Sequence, residues 1–371
     1  MKAMISADMK QMNRKIVFDI IRKKREVTRV ELSQMTGMSG PSILTIVNEF
    51  LEKGILVQLG KQSTSKGRHP VSMAFNPDIM LSIGIEYEGN NLSIGVVNLD
   101  GKIRFQTVSR VPANLGDSFF QVIEKSINKI EELLHKEKLE YCGIGLGIPG
   151  AVNSEEAVVY FAPYVGVNTP LDISGQLAEL EKKFSKPIFI ENDVNASAIG
   201  EFYMREANEN GKDLLYISIG AGIGSGIILN KELRHGCNYL CGEIGYTIPS
   251  TDCKVSRGET GWLEQNISHR TLCDKFENYR LRFEVAPDMI QYIARTICPY
   301  IANLVNTLDM DLVVIGGELA LNGGENLIKE IQKEVSRLTL SDVQVQSCLS
   351  DYAGIVGTAL IASNNLFNTI L

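Results

Sequence analysis

Two carboxylates follow a glycine-rich turn in the second half of the chain. The turn is Gly220–Gly226, and the acidic residues are Glu243, within Gly242-Glu-Ile-Gly245, and Glu264, within Gly261-Trp-Leu-Glu264. Repeated glycines allow a backbone to come close to a ligand, often a phosphate, because no Cβ intervenes. Together, the turn and the carboxylates predict a small-ligand pocket. For the turn alone, a tight hairpin with closely packed glycines is the alternative.

The residues around the turn predict the strands that position it. Leu214–Ile219 and Ile227–Leu229 are apolar runs on either side of the glycines, which is typical of a buried hairpin. The predicted elements of the body follow one order twice. In the earlier copy, three short strands between Leu81 and Ser109 are followed by alternating helices and strands, and the copy that begins with this hairpin continues in the same way. The main helices predicted in the two stretches are Asp117–Lys136, Ile173–Phe184, Asp288–Leu308, Glu325–Leu338 and one after Tyr352. The body therefore looks like two copies of one mixed α/β unit, with a cleft between them for a ligand.

The composition of the chain excludes several classes of protein. Its 371 residues include 44% hydrophobic and 22% charged residues, which is enough to form cores in two or three domains. Because no apolar run reaches about 18 residues, we expect no membrane span. The N-terminal residues are not apolar, so we also expect no signal segment there. The seven scattered cysteines indicate reduced thiols and a cytoplasmic location.

The net charge of −7 is divided unevenly along the chain. Residues 1–76 contain 13 Lys and Arg against 6 Asp and Glu, a balance of +7. The remaining 24 basic and 38 acidic residues give a balance of −14. This division predicts a basic module that meets a polyanion, joined to an acidic body that does not.

The basic module has the pattern of three short helices followed by two strands. Apolar spacing predicts the first helix, a Thr28–Glu31 capping box begins the second, and Ser39 begins the third, with Pro41 in its first turn. Gly37 is the expected end of the second helix. Two apolar runs then flank a basic, polar loop over residues 60–70. This order predicts a helix-turn-helix with a wing.

Such a module binds DNA, and we predict that its third helix enters the major groove. The residues predicted to face bases or phosphates are Ser39, Ser42, Thr45 and Asn48, and those of the wing predicted to bind phosphate or the minor groove are Lys61, Lys66 and Arg68. The alternative is a small helical domain for protein contact. Because such helices usually serve dimers, we expect a homodimer or a dimer of dimers on a two-fold operator.

Six stretches of the chain resemble the ROK family of sugar kinases and sugar-responsive repressors. They are Gly143–Gly150, Glu191–Glu201, Gly220–Gly226, Gly242–Gly245, Gly261–Glu264 and Val313–Gly317. Their order and spacing are specific together, and the resemblance covers essentially the whole chain. The N-terminal module is similar to that of the repressor branch, of which the xylose repressors are typical.

The resemblance implies an α/β fold with three parts. A winged helix-turn-helix domain is expected over residues 1–76, followed by two actin-like (ribonuclease-H-like) lobes over 77–193 and 194–351 with the ligand cleft between them. The C-terminal helix, at about residues 352–371, is expected to pack back on the first lobe.

The resemblance also implies a sugar site. Asn192, Asp193, Glu243 and Glu264 match family residues that hydrogen-bond sugar hydroxyls. Carboxylates suit this role, because two acceptor oxygens can hold neighbouring hydroxyls. Asp193 also matches the general base of the kinases, and its alternative role is to cap a helix that starts near Asn195.

Two further residues are predicted to contact the sugar. Tyr246 stands where the family has a histidine, and a phenol can hydrogen-bond a hydroxyl or stack on a sugar ring. Asn168 lies in a segment where family members have substrate loops.

The chain departs from the kinases of the family at the nucleotide site. The kinases open their first hairpin with Asp-x-Gly-Gly-Thr, whereas Glu88 replaces a glycine and Asn90 replaces the threonine here. Ala221 also replaces a threonine that is common in the later turn. A carboxylate beside a phosphate is repelled by roughly 1–4 kcal/mol at about 4 Å. We therefore expect neither ATP binding nor kinase activity.

The structural zinc site of the kinase-like members is also missing. Its four ligand positions hold Tyr246, Val255, Arg257 and Trp262. None of these side chains binds zinc in the usual way, so no metal cofactor is expected. The alternative is an improvised metal site, whose ligands would be His235, Cys237, Cys241 and Cys253.

These observations predict a sugar-responsive transcriptional repressor of carbohydrate-utilisation genes, xylose metabolism among them. Its expected partners are operator DNA and a monosaccharide effector that binds a degenerate kinase body. One alternative is an ATP-dependent hexose or N-acetylhexosamine kinase with a DNA-binding head. Another is a repressor governed by a protein partner, such as a sugar transporter.

Overall fold

The computed structural model describes residues 6–59, 71–206, 213–248, 255, 259–282 and 285–367. The chain forms two compact units. The first unit lies within residues 1–81, 98–100 and 364–371, and the second lies within 82–97 and 101–363.

The first unit contains three helices and a small antiparallel sheet. Its elements are α1 (Ser6–Lys24), β1 (Glu26–Val27), α2 (Arg29–Thr36), α3 (Gly40–Glu52), β2 (Leu56–Gln58) and β3 (Met73–Phe75). The strands pair in the order β1-β3-β2. Apolar side chains of the three helices form the core, among them Val17, Ile21, Leu32, Ile43, Val47 and Phe50, all fully buried.

Local signals set the ends of α2 and α3. Thr28 and Glu31 form the predicted capping box at the start of α2, and Gly37 ends the helix with a φ of 69°. Ser39 caps α3, and Pro41 lies in its first turn. These predictions are confirmed. The predicted wing, with Lys61, Lys66 and Arg68, lies outside the described residues.

The second unit begins with a five-stranded sheet. Its first elements are β4 (Leu81–Glu88), β5 (Asn91–Asn98), β6 (Ile103–Arg110), α4 (Asp117–Glu137), β7 (Ile144–Ile148), β8 (Ala151–Asn153), β9 (Val158–Phe161), β10 (Leu171–Asp172), α5 (Ser174–Phe184), β11 (Ile188–Asn192) and α6 (Asp193–Glu206). The strand order is β11-β7-β4-β5-β6, and β8 to β10 form a separate small sheet that the sequence analysis did not predict.

A second five-stranded sheet follows. Its elements are β12 (Leu214–Ile219), β13 (Ile223–Leu229), β14 (Glu232–Leu233), α7 (Trp262–Ile267), α8 (His269–Lys275), α9 (Glu277–Arg282), α10 (Pro287–Leu308), β15 (Leu312–Gly316), α11 (Glu318–Leu338), β16 (Gln344–Ser347) and α12 (Ala353–Phe367). The strand order is β14-β13-β12-β15-β16. In each sheet the first strand lies between its hairpin partner and a parallel strand, β7 for β4 and β15 for β12.

Helix α11 begins earlier than the sequence indicated. It starts at Glu318 rather than Glu325, and Gly324 interrupts it with non-helical backbone angles (φ 53°, ψ −154°). Glycine is the residue that adopts such angles without strain. The region therefore contains two helical segments where hydrophobic periodicity showed only the second.

Glycines allow α6 and α12 to lie directly on the sheets. A Cβ added to Gly145 of β7 would be 1.9 Å from the carbonyl oxygen of Thr358 in α12. Added Cβ atoms on Gly224 and Gly226 of β13 would lie 2.8 Å from Val194 Cγ2 and 2.5 Å from Ala198 Cβ in α6. Gly224 and Gly226, the last two glycines of the glycine-rich stretch, therefore make room for helix α6. This is the close packing of glycines that the hairpin alternative predicted. Within the described part of the chain, no helix has the length and apolarity needed to cross a membrane.

Candidate functional site

Asn192 and Asp193 lie where β11 meets α6. The Nδ2 atom of Asn192 donates to the carbonyl oxygen of Gly150 (2.8 Å), and its Oδ1 accepts the backbone N–H of Asn195 (2.8 Å). Helix α6 therefore begins at Asp193 with Asn192 as its cap. The alternative in which Asp193 caps a helix near Asn195 is wrong, because the neighbouring amide side chain has that role.

Glu191, which was not among the residues predicted from the sequence to form the site, fixes the same junction. The residue is 5% exposed, and its Oε1 accepts hydrogen bonds from the backbone N–H of Asn192 (2.9 Å) and from Nδ2 of Asn195 (3.1 Å). Its Oε2 lies 2.7 Å from Nε2 of His235, and this hydrogen bond raises the pKa of His235. The pair ties the start of α6 to the segment that leads to Glu243. Glu191 opens one of the six family-like stretches, which was the available signal, whereas His235 was considered only as a metal ligand.

Gly242 determines where Glu243 lies. Its φ is 92°, and an added Cβ would be 2.0 Å from the carbonyl oxygen of Ser225 on β13. Ser225 donates to the carbonyl oxygen of Gly242 from its backbone N–H (3.1 Å) and its hydroxyl (2.7 Å). Only glycine fits this close approach, so Glu243 is held next to the glycine-rich hairpin.

A second close approach of glycines positions Glu264. A Cβ added to Gly261 would be 2.0 Å from the carbonyl oxygen of Gly245, so the two motifs that carry the carboxylates are in contact. Glu264 lies in the first turn of α7 and accepts a hydrogen bond from the backbone N–H of Ile223. Its Oε1 would be 3.5 Å from a Cβ added to Gly222. The glycine-rich turn therefore packs against a carboxylate.

Asp193, Glu243 and Glu264 form one electrostatic group, called the acidic cluster below. Burial raises the pKa of Asp193 to about 7, with contributions from Glu88 and Glu243. Burial and Glu243 raise the pKa of Glu264 to about 6, and burial raises that of Glu243. Near neutral pH the cluster therefore combines hydrogen-bond acceptors with the carboxyl of Asp193, which donates when it is protonated. This set matches the hydroxyls of a neutral polyol and disfavours an anion.

The other two predicted sugar ligands differ in their surroundings. Tyr246 is 36% exposed, and burial together with Glu243 and Glu264 raises its pKa to about 12. Its phenol is therefore protonated and close to the acidic cluster. Asn168 is an exposed residue beside the Ala162–Val167 bridge, and its contact with a sugar stays a prediction.

Acidic side chains lie beside the turn that the resemblance predicted as the counterpart of the phosphate site of the kinases. A Cβ on Gly220 would lie 3.3 Å from Oε1 of Glu88, at the end of β4. Burial and the carboxylates of Glu318 and Asp351 raise the pKa of Glu88. Burial, Glu88 and Asp193 raise the pKa of Glu86 to about 8. A phosphate placed beside Gly220 would meet the Glu88 side chain, and it would be repelled when that carboxyl is ionised.

The residues at the zinc positions do not fit the metal. Tyr246, Val255 and Trp262 are described there, and none of these side chains supplies a nitrogen or thiolate ligand for zinc, whereas Arg257 lies outside the described residues. Within the described ranges, no group of three His, Cys, Asp or Glu side chains is arranged to hold a metal ion. For the improvised alternative, His235 is paired with Glu191, and Cys253 lies outside the described residues.

In the first unit, the residues predicted to meet DNA lie on one exposed face of α3. Ser42, Thr45 and Asn48 are exposed, as is Ser39 at the cap, whereas the opposite face of the helix is buried. The structure adds Arg29, which the sequence analysis did not select. Its Nη2 donates to Oδ1 of Asn48 (3.1 Å). Its position directly after the capping residue Thr28 was the available signal.

The raised pKa values predict that the ligand-free protein loses stability as the pH rises. Asp193 has an ordinary pKa of 3.8 and a folded value of about 7, so between these values the folded state holds a proton that the unfolded chain has released. The free energy of unfolding therefore decreases from about pH 4 through pH 7. In the Asp193→Asn variant this slope should flatten, giving a Tm about 3 °C above wild type at about pH 8 and a similar Tm at about pH 5.

Calorimetry across this pH range checks the expectation. Asp172→Asn is the matched control, because Asp172 is exposed and its pKa is lowered by the hydroxyl and backbone N–H of Ser174. That variant should keep the wild-type slope above about pH 5. An unchanged slope in Asp193→Asn would show that Asp193 is already ionised throughout the range.

Comparison with known proteins gives consistent results. Residues 82–365 match the ROK family. A xylose repressor from Caldicellulosiruptor bescii is 27% identical, over 89% of this chain and 88% of its own length. A ROK family transcriptional regulator, a homolog of the E. coli MLC protein, superposes with a TM-score of 0.76 at 22% identity over 98% of both chains. A ROK family glucokinase from Streptomyces griseus, solved with glucose and AMPPNP, gives 0.63 at 25% identity, over 76% of this chain and 99% of its own.

Proposed function

The chain belongs to the ROK family, and we propose that it is a sugar-responsive transcriptional repressor of carbohydrate-utilisation genes. In this proposal the first unit is a winged helix-turn-helix that binds operator DNA as part of a dimer. The two five-stranded sheets are the cores of two actin-like lobes. The acidic cluster between them binds a monosaccharide effector in the cytoplasm.

The contact of Glu88 with the glycine-rich turn supports a regulator over a kinase. Glu88 lies 3.3 Å from an added Cβ on Gly220, where a kinase of this family would hold an ATP phosphate. The chain keeps the acidic residues that match the sugar ligands of the family, Asp193, Glu243 and Glu264. It also has an acidic residue, Glu88, at the position expected for the phosphate. This combination suits the binding of a neutral sugar without the transfer of a phosphate to it.

The proposed mechanism links sugar binding to the geometry of the DNA-binding dimer. A sugar that contacts Asp193 from one lobe and Glu243 and Glu264 from the other favours one arrangement of the lobes. The effector changes DNA affinity only by the difference between its affinities for the two arrangements. Xylose is the first candidate, because the relative from Caldicellulosiruptor bescii is named a xylose repressor.

The kinase alternative is favoured by one observation, the retained Asp193, which matches the kinase base. Its raised pKa, about 7, is also compatible with a general base near neutral pH. We nevertheless expect no sugar phosphate from ATP and any of a panel of hexoses, N-acetylhexosamines and pentoses. Product that disappears in the Asp193→Asn variant would establish the enzyme instead.

Removing the carboxylate at the phosphate position should improve nucleotide binding. In the Glu88→Gly variant, the affinity for ADP with Mg²⁺ should rise about tenfold, because repulsion of roughly 1–4 kcal/mol is removed. Calorimetric titration measures this change. Asp351→Gly is the matched control, since Asp351 raises the pKa of Glu88 less than burial and Glu318 do. Equal ADP affinity in wild type and Glu88→Gly would contradict the role given to Glu88.

The central test measures binding to the DNA upstream of the protein's own gene, with and without monosaccharides, at a stated salt concentration. We expect one sugar to change the DNA affinity by about tenfold or more, which is about 1.4 kcal/mol of coupling. If saturating amounts of every sugar in the panel leave the affinity unchanged, the effector part of the proposal is wrong.

A further inference from the structure

The exposed face of α3 carries side chains with different capacities to read DNA. Ser39 and Ser42 have their hydroxyl oxygens 2.9 Å apart, and Ser39 Oγ also accepts the backbone N–H of Ser42 (3.4 Å). Thr45 donates its hydroxyl proton to the carbonyl oxygen of Pro41 (3.0 Å). Thr45 therefore uses its only hydroxyl hydrogen within the helix, and the two serine hydroxyls bond to each other. What these three side chains keep for a base edge is mainly acceptor capacity.

Two other side chains on the same face, Leu44 and Asn48, have different surroundings. Leu44 is 41% exposed, although the helix buries its other apolar side chains such as Ile43, Ile46 and Val47. Asn48 lies one helical turn further on, so the two side chains are neighbours on the surface. Arg29, exposed at the start of α2, donates to Oδ1 of Asn48 (3.1 Å).

The Arg29 contact changes what Asn48 can recognise. An asparagine that reads adenine uses its oxygen to accept from N6 and its amide hydrogens to donate to N7. Arg29 uses one of the two lone pairs of Oδ1. Together with the two Nδ2 hydrogens of Asn48 and the remaining hydrogens of the guanidinium, the pair therefore presents mostly donors. A surface of donors matches the major-groove edge of guanine, where N7 and O6 are both acceptors.

We propose that Leu44 and the Arg29–Asn48 pair read the operator, with Leu44 on the C5-methyl group of a thymine and the pair on a neighbouring guanine. Ser39, Ser42 and Thr45 then serve the cap and the phosphates. DNA is the occupant that fits this face, because residues 1–76 carry a balance of +7 and the face combines an arginine with one apolar contact. The inference rests on the proposed function and specifies its base readout.

The test begins with selection of sites from random double-stranded DNA by the full-length wild-type protein. The selected site is then modified one atom group at a time and its affinity is measured at fixed salt. Replacing the contacted thymine with deoxyuridine removes the methyl group, and replacing the guanine with 7-deazaguanine removes N7. Each change should weaken wild-type binding by roughly three- to tenfold, in keeping with the cost of losing part of one base contact.

The variants assign these losses to side chains. Leu44→Ala should bind thymine and deoxyuridine sites equally, and Asn48→Ala or Arg29→Ala should bind guanine and 7-deazaguanine sites equally. Thr45→Val, of nearly the same shape, should keep both wild-type differences. All four positions are exposed, and the Tm of each variant shows that the unit is folded.

The outcomes separate the inference from the function on which it rests. If the selection enriches no sequence, the DNA-binding function itself fails. If a site is enriched but Asn48→Ala and Leu44→Ala keep the wild-type differences while Thr45→Val loses them, the DNA-binding function stands and the assignment of readers is wrong.

Discussion

Replacing Glu243 with glutamine is expected to weaken sugar binding by about 30-fold or more while leaving the affinity for operator DNA unchanged. A hydrogen bond to a charged group contributes about 1.5–3 kcal/mol, and Glu243 is expected to accept more than one from neighbouring hydroxyls. Burial raises the pKa of this carboxyl, because it removes water from the charged form. The hydroxyls of a bound polyol would replace the hydrogen bonds that water no longer provides. Glutamine keeps the shape and one acceptor oxygen but loses the charge.

Two titrations measure the result, one of sugar into the protein and one of operator DNA with and without the sugar. In the variant, the sugar should no longer change the DNA affinity at concentrations that saturate the wild type. Glu132→Gln is the matched control, because Glu132 is an exposed carboxylate on α4. A variant that keeps wild-type sugar affinity would remove Glu243 from the site.

Replacing Gly242 with alanine is expected to have the largest effect on stability and to abolish sugar binding as well. The added Cβ would lie 2.0 Å from the carbonyl oxygen of Ser225, and the φ of 92° is unfavourable for any side chain. Strain of this kind costs about 1–3 kcal/mol, and relief of the clash requires the backbone to move away from β13. Glu243 would move with it, because it is the next residue.

The structure offers a control that separates strain from the clash. Gly166 also has a positive φ, 78°, but an added Cβ would meet no atom within 4 Å. Gly166→Ala should therefore lower the stability by only about 1 kcal/mol, whereas Gly242→Ala should lower it by about 3 kcal/mol or more. Thermal unfolding and sugar titration of both variants provide the comparison. Equal losses in the two would mean that the contact with Ser225 is unimportant.

At the start of α6, residues predicted to bind the sugar also have structural roles. Asn192 donates to the carbonyl oxygen of Gly150 and caps the helix by accepting the backbone N–H of Asn195. Glu191 accepts a hydrogen bond from the side chain of Asn195 and also contacts His235. These bonds leave the Asp193 carboxylate in a fixed place at the first turn of α6. A rigid support of this kind is what a binding constellation requires to hold its ligand in one orientation.

The sequence by itself determined the local features of the protein. The capping box at Thr28, the end of α2 at Gly37 and the start of α3 at Ser39 were all predicted, because each depends on residues within a few positions of one another. Hydrophobic periodicity predicted the long helices, such as α10 at Pro287–Leu308. Family-like stretches indicated which carboxylates belong together.

Only the tertiary structure decided which distant residues meet. Glu191 and His235 are 44 positions apart, and their contact depends on how β11 and the segment after β14 are placed by two different sheets. The sequence likewise did not distinguish Gly220 and Gly222, which lie beside Glu88 and Glu264, from Gly224 and Gly226, which make room for α6. Nor did it show that Arg29 would donate a hydrogen bond to Oδ1 of Asn48. Such contacts depend on strand register and on how the whole core packs, and both involve residues from many parts of the chain. No short stretch of sequence therefore encodes them.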